Sequence, residues 1–111
     1  MRTDLPAGLE PYKRTGTFTE ATVPAGLRGD HSTKDGIWGL IHVEEGLLRY
    51  TVTDHRRAAT ERVLASGGKP GVIEPTILHR VEPIGQVRFH VEFLCSAAAA
   101  ARSNTDNARA S

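Results

Sequence analysis

The residues in this sequence that are most able to do chemistry are its histidines. An imidazole can ligate a transition metal or move a proton near neutral pH, and the chain carries five of them: His31, His42, His55, His79 and His90. His55 stands in the charged segment Asp54-His55-Arg56-Arg57 and is predicted to be a solvated loop residue. His31 closes a polar loop, and His79 follows Pro75 by four residues. His31 and His79 are therefore the best candidates for a functional site.

Metal binding is the chemistry that these histidines would favour if the fold brings carboxylates to them. Imidazole and carboxylate groups together suit zinc, iron, nickel or manganese. Glu82 lies three residues after His79, and Glu92 lies two residues after His90. The spacing is not diagnostic, because the sequence has no His-x-His, no HExxH and no cysteine pair. A solvated outer strand face explains His42, and the pair of His90 and Glu92, as well as a site does.

Other catalytic and binding machinery is absent from the sequence. It contains no G-x-x-x-x-G-K-[ST], no G-x-G-x-x-G and no G-x-S-x-G motif. The 14 Lys and Arg residues against 13 Asp and Glu residues leave a net charge of +1, which gives no electrostatic reason to bind nucleic acid. Cys95 closes an apolar segment and is predicted to be a packing thiol, because nothing near it in the sequence would lower its pKa.

Short strands separated by turns must position these groups. Gly and Pro interrupt the apolar runs of the first 85 residues, and the segments between them are rich in β-branched and aromatic residues. The clearest predicted element is a hairpin with strands at 37–43 and 47–53 and a tight turn at Glu44-Glu45-Gly46. Leu48, Tyr50 and Val52 alternate with polar residues in its second strand, which indicates one buried face.

Four further strands are predicted at 61–65, 72–74, 77–81 and 86–94, the last two separated by Pro83-Ile84-Gly85. In the last of them apolar residues occupy one face and Arg88, His90 and Glu92 the other. No helical pattern separates the strands, so the predicted fold class is all-β, a sandwich or barrel spanning residues 1–95. Residues 96–111 are alanine-rich and then polar, and are predicted to form a flexible tail.

The composition also predicts a compartment. No segment approaches the roughly 20 apolar residues needed to span a bilayer, and the first residues lack the apolar core of a secretory signal. The single cysteine cannot form an internal disulfide. The sequence therefore predicts a cytoplasmic protein with no membrane or nucleic-acid partner.

Several motifs together resemble the TehB/YeaR-like domain family, a small cupin-like domain that also occurs at the N-terminus of some tellurite-resistance methyltransferases. The resemblance covers roughly residues 5–95 and rests on the order and spacing of these motifs: Leu5-Pro6-x-Gly8-Leu9-x-Pro11-Tyr12-Lys13, Phe18-Thr19, Val23-Pro24-Ala25-Gly26-Leu27, Asp30-His31-Ser32-Thr33-Lys34-x-Gly36-x-Trp38-Gly39, Val43-x-x-Gly46-x-Leu48-x-Tyr50 and Glu74-Pro75-x-x-x-His79-x-Val81-Glu82-Pro83.

The resemblance implies a cupin-like double-stranded β-helix, a conical β-sandwich or barrel, often paired as a homodimer. In cupins a proline four residues before a histidine places that histidine on a metal, and Pro75 and His79 match this motif. His31 would then correspond to the first histidine of the other cupin motif. Thr33 and Gly39 fall where cupins have a second histidine and a glutamate, so two usual ligands are missing. The same register faces Ile41 and Val43 inward and His42 outward.

The site that the resemblance implies is a single divalent ion, of zinc, iron, nickel or manganese, held by His31 and His79. Glu82 would complete it, with His90 and Glu92 as the alternative. Lys34 and Trp38 recur in the family pattern and would contact a ligand together with Glu82, although a core position also explains Trp38 and a surface ion pair explains Lys34.

Three functions are consistent with this site. The first is a small-molecule or oxyanion-binding domain, with or without metal, linked to stress or tellurite resistance. The second is a metal-dependent cupin enzyme of the oxygenase or isomerase type, with Glu82 or His90 as base. The third is a non-catalytic scaffold. A methyltransferase activity in this chain is not expected, because it is too short and has no glycine motif for the cofactor.

Overall fold

The computed structural model describes residues 5–96. Within them six strands and one short helix follow in this order: β1 Leu9–Arg14, β2 Phe18–Thr19, α1 Ala25–Arg28, β3 Trp38–Val52, β4 Thr60–Ala65, β5 Gly71–Ile73 and β6 His79–Ser96. All pairings between these strands are antiparallel, in the order β1-β6-β3-β4, while β2 pairs with β6 and β5 with β3. The predicted predominance of β-structure is confirmed.

Two long strands form the centre of the sheet. β3 has 15 residues and β6 has 18, and they pair from Trp38 opposite Leu94 to Val52 opposite His79. The hairpin predicted from strands at 37–43 and 47–53 is therefore wrong, because residues 38–52 form one continuous strand rather than two paired strands. The predicted break between strands at Pro83-Ile84-Gly85 is also wrong, because these residues lie within β6.

A β-bulge explains why the glycine at position 46 is not a hairpin turn. The register between β3 and β6 shifts between Val43 and Glu45 and again between Gly46 and Leu47. Gly46 has a φ of 82°, and a Cβ there would collide with the carbonyl oxygen of Gln86 on the partner strand. A glycine in the left-handed conformation is typical of such bulges, which bend a strand without ending it.

The core lies on one face of this bent sheet. In β3 the buried residues Ile41, Leu48 and Tyr50 point into it, and in β6 the fully buried Phe89 lies beside Val87 and Val91. The predicted inward face of the last strand is thus confirmed, as is the outward position of His42. Cys95 is fully buried against Ile37, as a packing thiol should be.

The C-terminal end of the described part is a strand. Ser96 is the last residue of β6 and lies opposite Leu9 of β1. Residues 97–111 lie outside the described residues, so the flexible tail predicted for 96–111 and the domain boundary at 95 stay predictions. No helix within 5–96 has the length and hydropathy needed to cross a membrane.

Candidate functional site

Two of the predicted site residues lie next to each other. His31 and His79 form a two-residue bridge, in which each backbone amide donates to the other residue's carbonyl at 2.9 Å. The centres of their imidazole rings are 4.2 Å apart. The loop that carries His31 is therefore attached to the first residue of β6, and this attachment brings the two side chains together.

Backbone carbonyls fix which ring nitrogen carries the hydrogen in each neutral imidazole. Nδ1 of His31 lies 2.9 Å from the carbonyl of Gly29, and Nδ1 of His79 lies 3.0 Å from that of Ile77. A carbonyl can only accept, so each Nδ1–H donates and each Nε2 keeps a lone pair. This is the arrangement that metal-binding histidines commonly have.

Burial keeps His79 neutral. Its residue is only 2% exposed, and burial lowers the pKa of the imidazole from 6.5 to about 4, with a smaller contribution from the neighbouring His31. The hydrogen bond to Ile77 and the nearby Asp30 oppose this shift of the pKa. At neutral pH His79 therefore offers a lone pair and no positive charge.

Tyr50 is the third aromatic group of the site. Its ring meets His79 edge-on, with centres 5.6 Å apart, and its hydroxyl donates to the carbonyl of Val72 at 2.8 Å. Burial raises the pKa of Tyr50 to about 12, so the phenol stays protonated. The alternation in β3 predicted that Tyr50 faces inward, but nothing in the sequence indicated that it would contact His79.

A buried carboxylate anchors the segment that leads into His79. Asp54 accepts hydrogen bonds from the backbone and side chain of Arg56 and from the Leu78 amide at 2.9 Å. Arg56 also donates to the carbonyl of Thr76, whose φ is 66°. These hydrogen bonds hold the pKa of Asp54 well below its usual range. The sequence indicated only that Asp54 lies in a charged loop.

Removal of this carboxylate is expected to loosen the approach to His79. In Asp54→Ala the Leu78 amide and the Arg56 guanidinium lose their acceptor, so hydrogen exchange at Leu78 should accelerate and the Tm should fall. Glu74→Ala is the matched control, because it removes only the half-exposed pair of Glu74 with Arg57. Unchanged exchange at Leu78 in Asp54→Ala would contradict the anchoring role.

The structure does not bring the predicted carboxylate to the histidine pair. Glu82 lies three residues from His79 in the same strand, which places it on the other face of the sheet, with an oxygen 3.8 Å from Arg49. Lys34 is exposed in the loop before β3, and Trp38 begins β3 half-buried. Among residues 5–96 no group of three or more His, Cys, Asp or Glu residues converges as a metal site.

Thr33 and Gly39, which the resemblance aligned with further cupin ligands, have other surroundings in the structure. The Thr33 hydroxyl donates to the Ile37 carbonyl at 2.7 Å and so closes its own loop. A Cβ at Gly39 would lie 2.9 Å from Cδ1 of Ile73, because this side chain fills the space beside the glycine. His31 and His79 therefore offer two nitrogen lone pairs, and the space for a glutamate at residue 39 is filled by Ile73.

The other three histidines lie away from this pair. His55 is 92% exposed in its loop, as predicted. His42 and His90 lie opposite each other on the outer face of β3 and β6. They are paired with Glu92 and Glu44, so His90 and Glu92 do not complete the site at His79.

Comparison with known proteins identifies the family to which this antiparallel β-domain belongs. The TehB-like domain family matches residues 13–91, and this chain belongs to that family. The resemblance read from its motifs is thereby confirmed.

Two curated relatives are the probable S-adenosyl-L-methionine-dependent methyltransferases TehB of two Haemophilus influenzae strains. The protein from strain Rd is 30% identical over 74 residues, which are 66% of this chain and 26% of the relative. The protein from strain 10810 is 28% identical over the same length. The chain thus spans about a quarter of the length of these curated relatives.

Two solved structures share the fold. The crystal structure of TehB from Haemophilus influenzae superposes with a TM-score of 0.74 at 25% identity, over 81% of this chain and 32% of that one. A protein from Escherichia coli strain K12 superposes with a TM-score of 0.74 at 20% identity, over 86% of this chain and 98% of the other.

Proposed function

We propose that this chain is a small-ligand-binding module, linked to stress or tellurite resistance, that takes its ligand at His31 and His79. The observation that carries the proposal is the tautomer of the pair. Both Nδ1–H groups are bound to carbonyls, so two Nε2 lone pairs remain on adjacent rings. Since His79 is almost fully buried, the ligand that reaches it must be small.

A divalent metal ion, or an oxyanion bound to such an ion, fits these lone pairs best. The two Nδ1–H groups are already bonded to carbonyls and so offer no free donor to a bare oxyanion, whereas the Nε2 lone pairs suit zinc, iron, nickel or manganese. With two protein ligands the ion would keep other positions open for the small molecule. Lys34, exposed in the loop that follows His31, is the cation that we propose for an anionic ligand.

The proposed role is binding rather than methyl transfer. The methyltransferase description of the relatives concerns proteins of which this chain matches about a quarter. In a system of that kind the module would hold a small ligand while another protein or domain performs the reaction. A cupin-type double-stranded β-helix is the architecture that we propose for it, and the bulge at Gly46 and the positions of Pro75 and His79 support this.

The oligomeric state is also part of the proposal, because the family resemblance implies a homodimer. We propose a homodimer in which β1, an edge strand of the sheet formed by residues 5–96 with Tyr12 38% exposed, pairs with a second copy of the chain. Light scattering on the purified chain tests it. A cytoplasmic location stays a prediction.

The test is binding of metal ions to the untagged, metal-free protein, followed by tellurite binding to the loaded form. Zinc, nickel and manganese salts are titrated by calorimetry. His79→Ala and His31→Ala should each weaken binding at least about tenfold, because each removes one of two ligands. His55→Ala, in an exposed loop, is the control and should bind as the parent does. Unchanged affinity in both site variants would overturn the proposal.

A scaffold without ligand is the second candidate, and the packing at Gly39 favours it. Ile73 fills the place where a cupin glutamate would lie, and no third ligand joins the pair within residues 5–96. This candidate function predicts that His31→Ala and His79→Ala leave any binding of zinc, nickel, manganese or tellurite unchanged, and that the effect of His79→Ala is purely structural. The same titrations therefore separate the two functions.

A further inference from the structure

A second group of histidines and carboxylates lies on the opposite face of the sheet. His42 of β3 and His90 of β6 are directly opposite each other in the register, with ring centres 4.9 Å apart and planes 25° from parallel. Each is bonded to a carboxylate, His42 to Glu92 and His90 to Glu44. We call these four residues the outer cluster.

The carboxylates fix the tautomers of the outer cluster. Nε2 of His42 lies 3.0 Å from Glu92, and Nδ1 of His90 lies 2.6 Å from Glu44. A carboxylate can only accept, so these two nitrogens carry the hydrogens. In the neutral rings Nδ1 of His42 and Nε2 of His90 keep their lone pairs. A carboxylate behind an imidazole raises its basicity and is a usual outer partner of a metal-bound histidine.

The spacing of the two rings suits one ion. With metal–nitrogen bonds of about 2.0–2.1 Å and a nitrogen about 1.1 Å from its ring centre, two imidazoles at 90–110° around an ion have centres about 4.5–5.2 Å apart. The observed 4.9 Å lies in this interval. To share one ion the nearly parallel rings turn about χ2, and the Glu92 and Glu44 side chains, 31% and 32% exposed, turn with them and keep their hydrogen bonds. Side-chain exposures of 32% for His42 and 16% for His90 leave both rings reachable from solvent.

The charges of the cluster also favour a cation. Glu44 accepts hydrogen bonds from His90 at 2.6 Å and from the Thr17 hydroxyl at 2.9 Å. The nearby Arg88 lies 3.9 Å from Glu45 rather than in a close pair with Glu44. Arg14, opposite Glu92 in the register, donates its Nε–H to a backbone carbonyl. A divalent ion would balance the two carboxylates of the cluster.

We propose that the outer cluster binds one divalent transition-metal ion such as Zn²⁺, with His42 and His90 as its ligands. Glu92 and Glu44 hold the two imidazoles from behind, so the site does not need three protein ligands that converge. Water fills the remaining positions, which makes this an open, exchangeable site. It is separate from the His31 and His79 pair and does not depend on the function proposed for that pair.

The experiment is a Zn²⁺ titration of the metal-free full chain. Calorimetry measures the affinity, and NMR measures the chemical shifts of the imidazole nitrogens. The proposal predicts shifts at Nδ1 of His42 and Nε2 of His90. It also predicts a loss of affinity of at least about tenfold in His42→Gln/His90→Gln, and a smaller loss in Glu92→Gln. His31→Gln/His79→Gln should retain this binding event, and His55→Gln is the control.

Each other outcome decides against the outer cluster. Absence of shifts at the two named nitrogens of the parent protein at millimolar Zn²⁺ would overturn the proposal without any variant. Binding that disappears only in His31→Gln/His79→Gln would place the ion at the inner pair alone. Because the decisive NMR measurement uses the unmodified chain, the result stands even if a double variant fails to fold.

Discussion

Gly46→Ala is expected to lower the free energy of unfolding by about 3 kcal/mol or more. The residue has a φ of 82°, a conformation that costs an L-residue about 1–2 kcal/mol. Its new methyl group would also collide with the backbone carbonyl of Gln86 and lie 3.0 Å from Cα of Val87. Backbone atoms cannot rotate away as a side-chain tip can, so β3 and β6 must separate locally. Urea unfolding measures the loss.

The chain offers a matched control for this substitution. Gly67 has a φ of 80°, but a Cβ there would meet nothing within 4 Å. Gly67→Ala therefore carries the conformational cost alone, about 1–2 kcal/mol. Equal losses in the two variants would mean that the close approach to β6 contributes nothing, and would contradict the packing argument at Gly46.

The same glycine marks the limit of what the sequence predicts about the fold. Short strands, their apolar faces and the turn-like character of Glu44-Glu45-Gly46 were all readable locally. A left-handed glycine serves a hairpin turn and a bulge equally well. Only the partner strand distinguishes them, because β6 carries its own irregularity opposite this point, between Ile84 and Val87. That pairing joins residues about 40 apart and leaves no local signature.

The candidate site was predictable to the extent that it depends on motif positions. The motif at Pro75 and His79, together with His31, identified two side chains that the fold does bring together. The elements of the site that depend on packing were not readable. Tyr50 reaches His79 from another strand, and Asp54 is buried by contacts that begin in a loop. Side chains alternate between the two faces of a strand, so Glu82 and His79, three residues apart, lie on opposite faces. A comparison of motifs does not take this alternation into account.

The stability of the metal-free protein is expected to fall steeply as the pH is lowered through the range in which unfolded histidine titrates. The pKa of His79 is about 4 in the folded chain against an ordinary 6.5. Between these values the unfolded state binds more protons, so stability rises with pH across this window and is fully present above it. The difference corresponds to about 3 kcal/mol. His31 and Asp30 are the titratable neighbours that act on His79, and the Tyr50 phenol stays protonated throughout.

The carboxylates affect stability in a lower pH range, so the contribution of His79 to the pH dependence can be measured separately. Glu44, Glu74 and Asp54 have lowered pKa values, so their stabilisation is lost only as the pH falls below ordinary values of 4.5 and 3.8. Urea unfolding from about pH 4.5 to about pH 7 therefore measures the contribution of the histidines to the free energy of unfolding. His79→Gln should flatten the profile there, while His55→Gln, at a fully solvated position, should leave it unchanged. A profile of equal slope in His79→Gln would mean that other groups carry the dependence, and that His79 is not held neutral by its burial.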